Sequence, residues 1–253
     1  MADDSVKFFV DGAALNLLPT AMTHTDQSPR DTFAAFVRQL APGRTEELLP
    51  RFDALLAALL DENAKVNLIS RRTPAEEYWT LHLLDSLLPV PHIDLAGQEV
   101  LDFGTGGGLP GIPLCLLFPT CRMTLLDGRA KKIAAVKKIV KMLDLKACEA
   151  VSSRVEEQAL QEWAQRFDTI VCRSVRLEPH TAKALLRLVK PGGRIVLYKG
   201  RTFEDAQLLP HRQVLDVSHP AVGTRHLVIS RAQGRPTGQR RQPGKHRDKQ
   251  GKP

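Results

Sequence analysis

The segment "VLDFGTGGGLPGIPL" (100–114) constrains the fold most strongly, because a strand pattern in it runs directly into a glycine-rich turn and then an apolar helix. The same order of strand, loop and helix continues downstream. Strands are predicted at "EVLDF", "RMTLLD", "EAVSS", "FDTIVCRS" and "GRIVLYKG", and helices at "PLCLLF", "RAKKIAAVKKIVKML", before Arg166 and at "TAKALLRLV". Alternation of this kind predicts a mostly parallel sheet that is covered on both faces.

The last two predicted strands, "QVLDVS" and "RHLVISR", have no helix between them. They are therefore expected to form an antiparallel hairpin at one edge of the sheet. The α/β domain that contains all of these strands is predicted to span residues 96–230.

Helices are predicted before the sheet, in a region that we place at residues 31–95. One runs over 31–40, and a second begins near Thr45, which is placed to cap it. The leucines of this second helix and Phe52 recur at steps of three and four residues, which is one face of a helix. Residues 1–30 show no sustained period and are predicted to be a loose extension.

A third helix is predicted over "TPAEEYWTLHLLDSLLP". Thr73 and Glu76 have the spacing of a capping box, in which each side chain bonds the other residue's backbone amide. His82 and Asp85 lie three positions apart, so they are expected to touch on one face of that helix.

The positive charge of the chain is concentrated at its end. The net charge is +8, and residues 231–253 contain eight lysines and arginines against one aspartate. This segment is rich in Gly, Pro and Gln and poor in apolar residues, so it is predicted to be a disordered tail. Two interpretations stay open: a solubilising tail, or a non-specific clamp on polyanionic RNA.

Composition favours a protein of a reducing cytoplasm. The four cysteines form neither a Cys-x-x-Cys pair nor a Cys/His cluster, so neither a metal site nor a disulfide framework is expected. The first ten residues lack the basic start of a signal peptide. No apolar run has the length of a membrane span.

The glycine loop does not identify its ligand by itself. In an open α/β sheet ligands bind beyond the carboxyl ends of the strands, and Gly106, Gly108 and Gly111 have the spacing of a dinucleotide loop. Asp102, at the end of the preceding strand, disfavours a pyrophosphate there and suits an ammonium group such as that of S-adenosylmethionine (SAM). Asp127, at the end of the second strand, is placed to bind the ribose hydroxyls that SAM and NAD share. The Pro-Gly-Gly turn of "KPGGRIVLYKG" is typical of SAM-dependent methyltransferases and favours SAM.

These motifs resemble the bacterial ribosomal RNA small subunit methyltransferase G family, also called glucose-inhibited division protein B. The matching pieces are "NLIS" (67–70), "HLLDSLLP" (82–89), "LDFGTGGGLPGIPL" (101–114), "LLDGRAKK" (125–132), "SSRVEE" (152–157), "FDTIVCRSV" (167–175), "YKG" (198–200) and "RHLVIS" (225–230). The resemblance implies a class I SAM-dependent methyltransferase with a Rossmann-like seven-stranded sheet. It also implies SAM as methyl donor and N7 of a guanine in the decoding-region loop of 16S ribosomal RNA as acceptor.

The site residues follow from the resemblance and from position on the predicted sheet. By resemblance, SAM contacts fall at Gly104, Leu109, Val155, Glu156 and Arg173. Gly106 in the same loop and Asp127 complete the predicted cofactor set. RNA contacts are predicted at Arg154, Lys199 and Arg225, beside the cleft or at strand ends.

The predicted chemistry needs no general base, and no catalytic residue is assigned. N7 of guanine carries a lone pair and no proton, so positioning and desolvation are expected to supply most of the catalysis. No motif for amine methylation and no Pro-Cys pair for cytosine-C5 methylation follows the fourth strand. Three alternatives stay open: a methyltransferase of another RNA or a small molecule, an NAD-dependent oxidoreductase, and a non-catalytic RNA-binding module. The predicted partner is 16S ribosomal RNA or the small ribosomal subunit, without a membrane, and the predicted state is a monomer.

Overall fold

The computed structural model describes residues 27–154 and 162–233. Within these residues one seven-stranded sheet has the strand order β3-β2-β1-β4-β5-β7-β6. The strands are β1 (Glu99–Phe103), β2 (Arg122–Asp127), β3 (Cys148–Ser152), β4 (Phe167–Arg173), β5 (Val189–Lys199), β6 (Arg212–Asp216) and β7 (His226–Arg231). The first five are parallel to one another, and β7 is antiparallel to both β5 and β6. The predicted α/β sheet with a hairpin at one edge is confirmed.

Helices cover both faces of this sheet. They are α1 (Pro29–Leu40), α2 (Thr45–Lys65), α3 (Asp85–Leu87), α4 (Gly111–Leu117), α5 (Ala130–Met142) and α6 (Pro179–Leu188). One apolar core joins α1, α2, α4 and α5 to one face, and a second core lies between α6 and the other face. Successive strand residues belong to opposite cores, as Val100 and Leu101 of β1 do, because strand side chains alternate in direction.

The strand order places a crevice at the carboxyl end of β1. The chain proceeds from β1 to β2 and β3 on one side, and then returns to place β4 on the other side of β1. Ligands of open α/β sheets bind at such a switch point, outside the carboxyl ends of the strands. The loops that follow β1, β2 and β4 therefore meet around one crevice.

The N-terminal helices share a core with the sheet. Phe33 of α1 and Phe52 of α2 are fully buried and pack edge to face, with ring centroids 4.9 Å apart. Trp79 packs against Phe33 at 5.3 Å. The same core continues through α2 to Ile112 and Val136, under the sheet. We therefore propose that the regions 31–95 and 96–230 unfold together.

The predicted single helix over "TPAEEYWTLHLLDSLLP" is wrong. A 3-10 turn at Ala75–Glu77 is followed by a π-helical turn at Trp79–Leu84 and then by α3. No side chain of the described residues caps this start, so the capping box is wrong too. The His82 carbonyl also accepts a side-chain bond, from the Ser86 hydroxyl at 2.6 Å. Such side-chain bonds to the preceding turn bend helices.

Three smaller predictions also need correction. Thr45 is the first residue of α2 rather than its cap, and its hydroxyl donates to the Ala41 carbonyl at 3.2 Å. Arg231 belongs to β7 rather than to the basic tail. The predicted extension over 1–30 ends too late, because α1 begins at Pro29. Residues 1–26 of that extension, the helix before Arg166 as far as residue 161, and the tail from residue 234 lie outside the described residues.

We predict that Phe52→Ala lowers the free energy of unfolding by about 3–5 kcal/mol, because it empties a fully buried site. Urea denaturation followed by the fluorescence of Trp79, in a Trp163→Phe background, measures this change. Circular dichroism of the whole chain is expected to report the same midpoint. The half-buried Phe36→Ala is the control and costs less. Separate midpoints for the two signals would contradict a shared core.

Candidate functional site

A cavity of about 1020 Å³ opens at the carboxyl ends of β1, β2 and β4. We call it the cofactor cavity. The predicted residues that line it are Gly104, Gly106, Leu109, Asp127, Arg154, Arg173 and Arg225. Val155 and Glu156 lie outside the described residues. Five separate parts of the sequence are thus brought together around one space.

The loop after β1 needs glycine at two positions for steric reasons. Gly104 and Gly108 have φ angles of +73° and +87°, in the left-handed region that side chains rarely adopt. A Cβ atom on Gly104 would lie 2.5 Å from Cγ2 of Val175, and one on Gly108 would lie 2.4 Å from Cδ1 of Ile112. The loop therefore bends sharply and lies close against its neighbours.

Asp102 holds this loop from beneath. Its Oδ2 accepts hydrogen bonds from the Thr105 hydroxyl at 2.6 Å and from the Gly111 amide at 2.8 Å. The side chain is fully buried and does not line the cofactor cavity, so the interpretation of Asp102 as a partner for a ligand ammonium group is wrong. Burial raises the pKa of Asp102 to about 6, against the opposing effect of its two hydrogen bonds. Its Oδ1 has no partner among the described residues.

Asp127, at the end of β2, lies on the wall of the cavity. Its Oδ2 accepts from the Gly106 amide at 3.0 Å, and its Oδ1 accepts from the Arg129 amide at 2.9 Å. Two backbone bonds thus fix the direction of the carboxylate. Each oxygen of a carboxylate has more than one acceptor site, so Asp127 keeps capacity for further donors.

The last three residues of "NLIS" also line the cavity, and Leu68 and Ile69 lie next to Gly107. The Asn63 carboxamide oxygen accepts from the amides of Leu68 and Ile69, at 2.8 and 3.1 Å. The Lys132 ammonium donates to the Leu68 carbonyl at 3.0 Å and is half-buried. Lys132 is therefore not on a fully solvated helix face, because the helical region covers this end of α5.

Asp85 joins three distant segments. Its Oδ2 is 2.9 Å from Nη1 of Arg173, and its Oδ1 is 2.7 Å from Nε of Arg225. The predicted contact between His82 and Asp85 is replaced by a bridge through Arg173, which also donates to the His82 carbonyl at 3.2 Å. We call Asp85, Arg173 and Arg225 the arginine–aspartate cluster.

His82 is neutral at pH 7 in this setting. Burial and then the charge of Arg173 lower the pKa of His82 to about 4. Its Nε2 is buried and has no hydrogen-bond partner among the described residues. The imidazole therefore carries no positive charge into the cofactor cavity.

Lys199, a predicted RNA contact, is buried and ion-paired. Its ammonium is 2.6 Å from Oδ2 of Asp205 and donates to the Val175 carbonyl at 3.1 Å. Only 9% of Lys199 is exposed. Its contact with RNA stays a prediction, and it would require the ion pair to open. Arg154, by contrast, is exposed at the edge of the cofactor cavity.

The described residues contain no cluster of three or more His, Cys, Asp and Glu side chains that could hold a metal ion. Across those same residues, none of the helices is both long and apolar enough to cross a membrane.

Comparison with known proteins gives consistent matches. The model of the GidB family, described as rRNA small subunit methyltransferase G, matches residues 48–228. A protein of Chlorobium phaeobacteroides named "Ribosomal RNA small subunit methyltransferase G" is 42% identical over 56% of this chain and 62% of its own length. A protein of Myxococcus xanthus with the same name is 36% identical over 70% of this chain and 81% of its own length.

The fold is also that of solved methyltransferases. A crystal structure of a SAM-dependent methyltransferase from Aquifex aeolicus superposes with a TM-score of 0.50 at 19% identity. It covers 62% of this chain and 93% of the other. This likeness shows a class I SAM-methyltransferase fold.

We predict that Asp102→Asn changes how stability depends on pH. Folding raises the pKa of Asp102, because burial disfavours the charged carboxylate. The free-energy cost of burying that charge is therefore absent below about pH 4, where the group is protonated, and is complete above about pH 6. The shift corresponds to roughly 3 kcal/mol. The free energy of unfolding of the variant, relative to the wild type, is therefore expected to rise by about that amount between pH 4 and pH 7.5.

Urea denaturation at a series of pH values measures the difference, with the exposed Asp61→Asn as a control for the substitution itself. If the free energies of unfolding of Asp102→Asn and wild type differ by the same amount at every pH, burial does not raise the pKa of Asp102.

Proposed function

This chain belongs to the rRNA small subunit methyltransferase G family, and from that membership we propose that it transfers a methyl group from SAM to N7 of a guanine in 16S ribosomal RNA. The observation that carries the proposal is the family match over residues 48–228, which includes the glycine loop and the whole arginine–aspartate cluster. Family membership favours this activity over the alternative of an NAD-dependent oxidoreductase.

The residues of the cofactor cavity fit SAM. Cavities that bind small molecules have volumes of about 300–1,000 Å³, and this one is of that order. Asp127 has acceptor capacity for the two ribose hydroxyls, and the bend at Gly104 lets the backbone approach a ligand closely. Leu109 contributes apolar wall, and Arg173 is placed to meet the carboxylate of the methionine part. When bound, SAM supplies a methyl group on a positively charged sulfur.

The chain's part in the reaction is to orient the reactants and to exclude water. N7 of guanine needs no deprotonation before it accepts a methyl group, so no side chain has to act as a base. His82, the titratable ring beside the cavity, is held with a pKa of about 4 and has no charge to change near neutral pH. The methyl transfer therefore depends on the alignment of the two reactants.

RNA binding is proposed to use cations around the cavity and beyond the sheet. Arg154 is exposed at the rim, and the side chain of Arg225 is 31% exposed. The sequence after residue 233 adds seven lysines and arginines against one aspartate, which favours RNA phosphates. Within 16S RNA, the guanine that is methylated is proposed to lie in the decoding-region loop, either in free RNA or in the small subunit. We propose that the protein acts as a monomer, because residues of one chain form the cofactor cavity.

We predict that Asp127→Ala weakens SAM binding at least about tenfold and leaves the fold intact. The variant removes a hydrogen bond between a charged carboxylate and the ribose, which contributes roughly 1.5–3 kcal/mol. Calorimetric titration with SAM measures the affinity, and circular dichroism checks the fold. Asp61→Ala, an exposed aspartate of α2, is the matched control. Unchanged affinity in Asp127→Ala would remove the assignment of the ribose to this carboxylate.

We predict that the rate of the chemical step is nearly independent of pH between about 6.5 and 8.5, since no base has to titrate. A general base with a pKa near 7 would instead give a tenfold rise per unit below its pKa. Single-turnover transfer of labelled methyl groups from SAM to saturating small-subunit RNA measures this rate. Nuclease digestion of the product is expected to yield N7-methylguanosine. Methylcytidine, N6-methyladenosine or a 2′-O-methyl nucleoside as the sole product would refute the proposed reaction.

A further inference from the structure

A second cavity, of about 750 Å³, adjoins the cofactor cavity. The two share a wall made by the arginine–aspartate cluster together with Ser174, Val175 and Arg176. Ser174, directly after β4, has a φ angle of +57°, which a serine adopts only when its surroundings require it. The backbone at the junction of the two cavities is therefore held in an unfavourable conformation, as is common where ligands meet protein.

The position of the second cavity suits a base that must receive a methyl group from the first. Enzymes that modify a base take it out of its stack into a pocket and read its Watson–Crick edge. In guanine, N7 and O6 lie on one edge, and the N1–H and N2 donors lie away from N7. If N7 of a guanine lies at the shared wall, its N1–H and N2 donors therefore point away from the cofactor cavity, into the far part of the second cavity.

That far part contains two carboxylates with different surroundings. Oδ2 of Asp205 already accepts from the Lys199 ammonium at 2.6 Å and from the Leu177 amide at 2.7 Å. Glu204 is exposed to the cavity and has no hydrogen bond or ion pair with any residue that the structure describes. Of the two acids, Glu204 is the one whose oxygens are both open to a ligand.

The two oxygens of a carboxylate match the N1–H and N2–H donors of guanine. Hydrogen bonds of this kind to a charged acceptor are the strong ones. Adenine offers a lone pair at N1 instead of a donor, which a carboxylate repels. Inosine keeps N1–H but lacks the N2 amine, so it would make one bond fewer to the same carboxylate.

Two groups of cations complete the site. In the arginine–aspartate cluster one carboxylate serves two guanidinium groups, so N–H donors remain for O6, which shares its edge with N7. Arg176 is exposed at the shared wall and has no ion-pair partner among the described residues. A guanidinium in that position suits the phosphate of the same nucleotide.

We propose that the second cavity seats the acceptor guanine, with Glu204 accepting hydrogen bonds from N1–H and N2–H and Arg176 binding the nucleotide's phosphate. Glu204 is then the residue that selects guanine over other bases. This assignment rests on the proposed function for the identity of the acceptor, and it adds the part of the chain that recognises it.

The first test is a comparison of Glu204→Gln with wild type in methyl transfer from labelled SAM to small ribosomal subunits that lack the modification. The variant is expected to lower kcat/KM for the RNA at least about tenfold, with an unchanged Kd for SAM. The matched control is Glu178→Gln, an exposed glutamate that lines neither cavity. Equal kcat/KM for Glu204→Gln and Glu178→Gln would overturn the assignment.

The second test does not depend on catalysis. Thermal unfolding in the presence of S-adenosylhomocysteine is followed as GMP, IMP or AMP is added. Wild type is expected to be stabilised most by GMP, less by IMP and least by AMP, and Glu204→Gln is expected to lose the preference for GMP. A preference for GMP that the variant keeps would overturn the role of Glu204. A wild type that prefers GMP through Glu204 but methylates a different atom would refute the proposed function and leave the guanine site standing.

Discussion

The buried carboxylate of Asp102 fixes the loop on which the site depends. It accepts from the Thr105 hydroxyl and the Gly111 amide, at the two ends of the turn between β1 and α4. A Cβ atom on Gly111 would lie 2.8 Å from this carboxylate, so the helix can start there only from a glycine. Once the turn is fixed, the Gly106 amide reaches Asp127, and the carboxylate that we assign to the ribose is oriented in its turn.

A second ionic contact connects the helical region to the far side of the crevice. Asp85, from α3, binds Arg173 at the end of β4 and Arg225 just before β7. Breaking such a buried pair by removing one partner is strongly destabilising, because a charge is left without compensation. The cluster also forms the wall between the two cavities. The wall between the proposed SAM site and the proposed guanine site is thus made of residues that also stabilise the fold.

The sequence predicted the sheet well because each strand is short, apolar and followed by a turn or a helix. It located the crevice as well, since Asp127 and Arg173 end their strands and the ends of parallel strands meet at one edge. It failed where side-chain direction decides the outcome. Asp102 is the last residue but one of β1 and Asp127 is the last residue of β2, yet one side chain turns under the loop and the other lines the cavity. Nothing in the spacing of two aspartates separates these cases.

Long-range contacts were the other source of error. Asp85 is separated from Arg173 and Arg225 by 88 and 140 residues, so no local pattern pairs them. Lys132 has the spacing of a solvated helix face, but the carbonyl of Leu68 covers it. Glu204 stands in a segment without a motif. It lines the second cavity together with Asp205, and what distinguishes it is that Asp205 accepts from Lys199 and Leu177, whereas Glu204 has no such bond with a described residue.

The central claim is that this chain places one methyl group on N7 of a guanine in small-subunit RNA. Its most direct test is a map of N7-methylguanine along 16S RNA, by chemical cleavage at that base, from cells with the gene, without it, and with it restored. The account predicts one cleavage position that is present in the first RNA, absent from the second and recovered in the third. The same cleavage pattern in all three RNAs would contradict it.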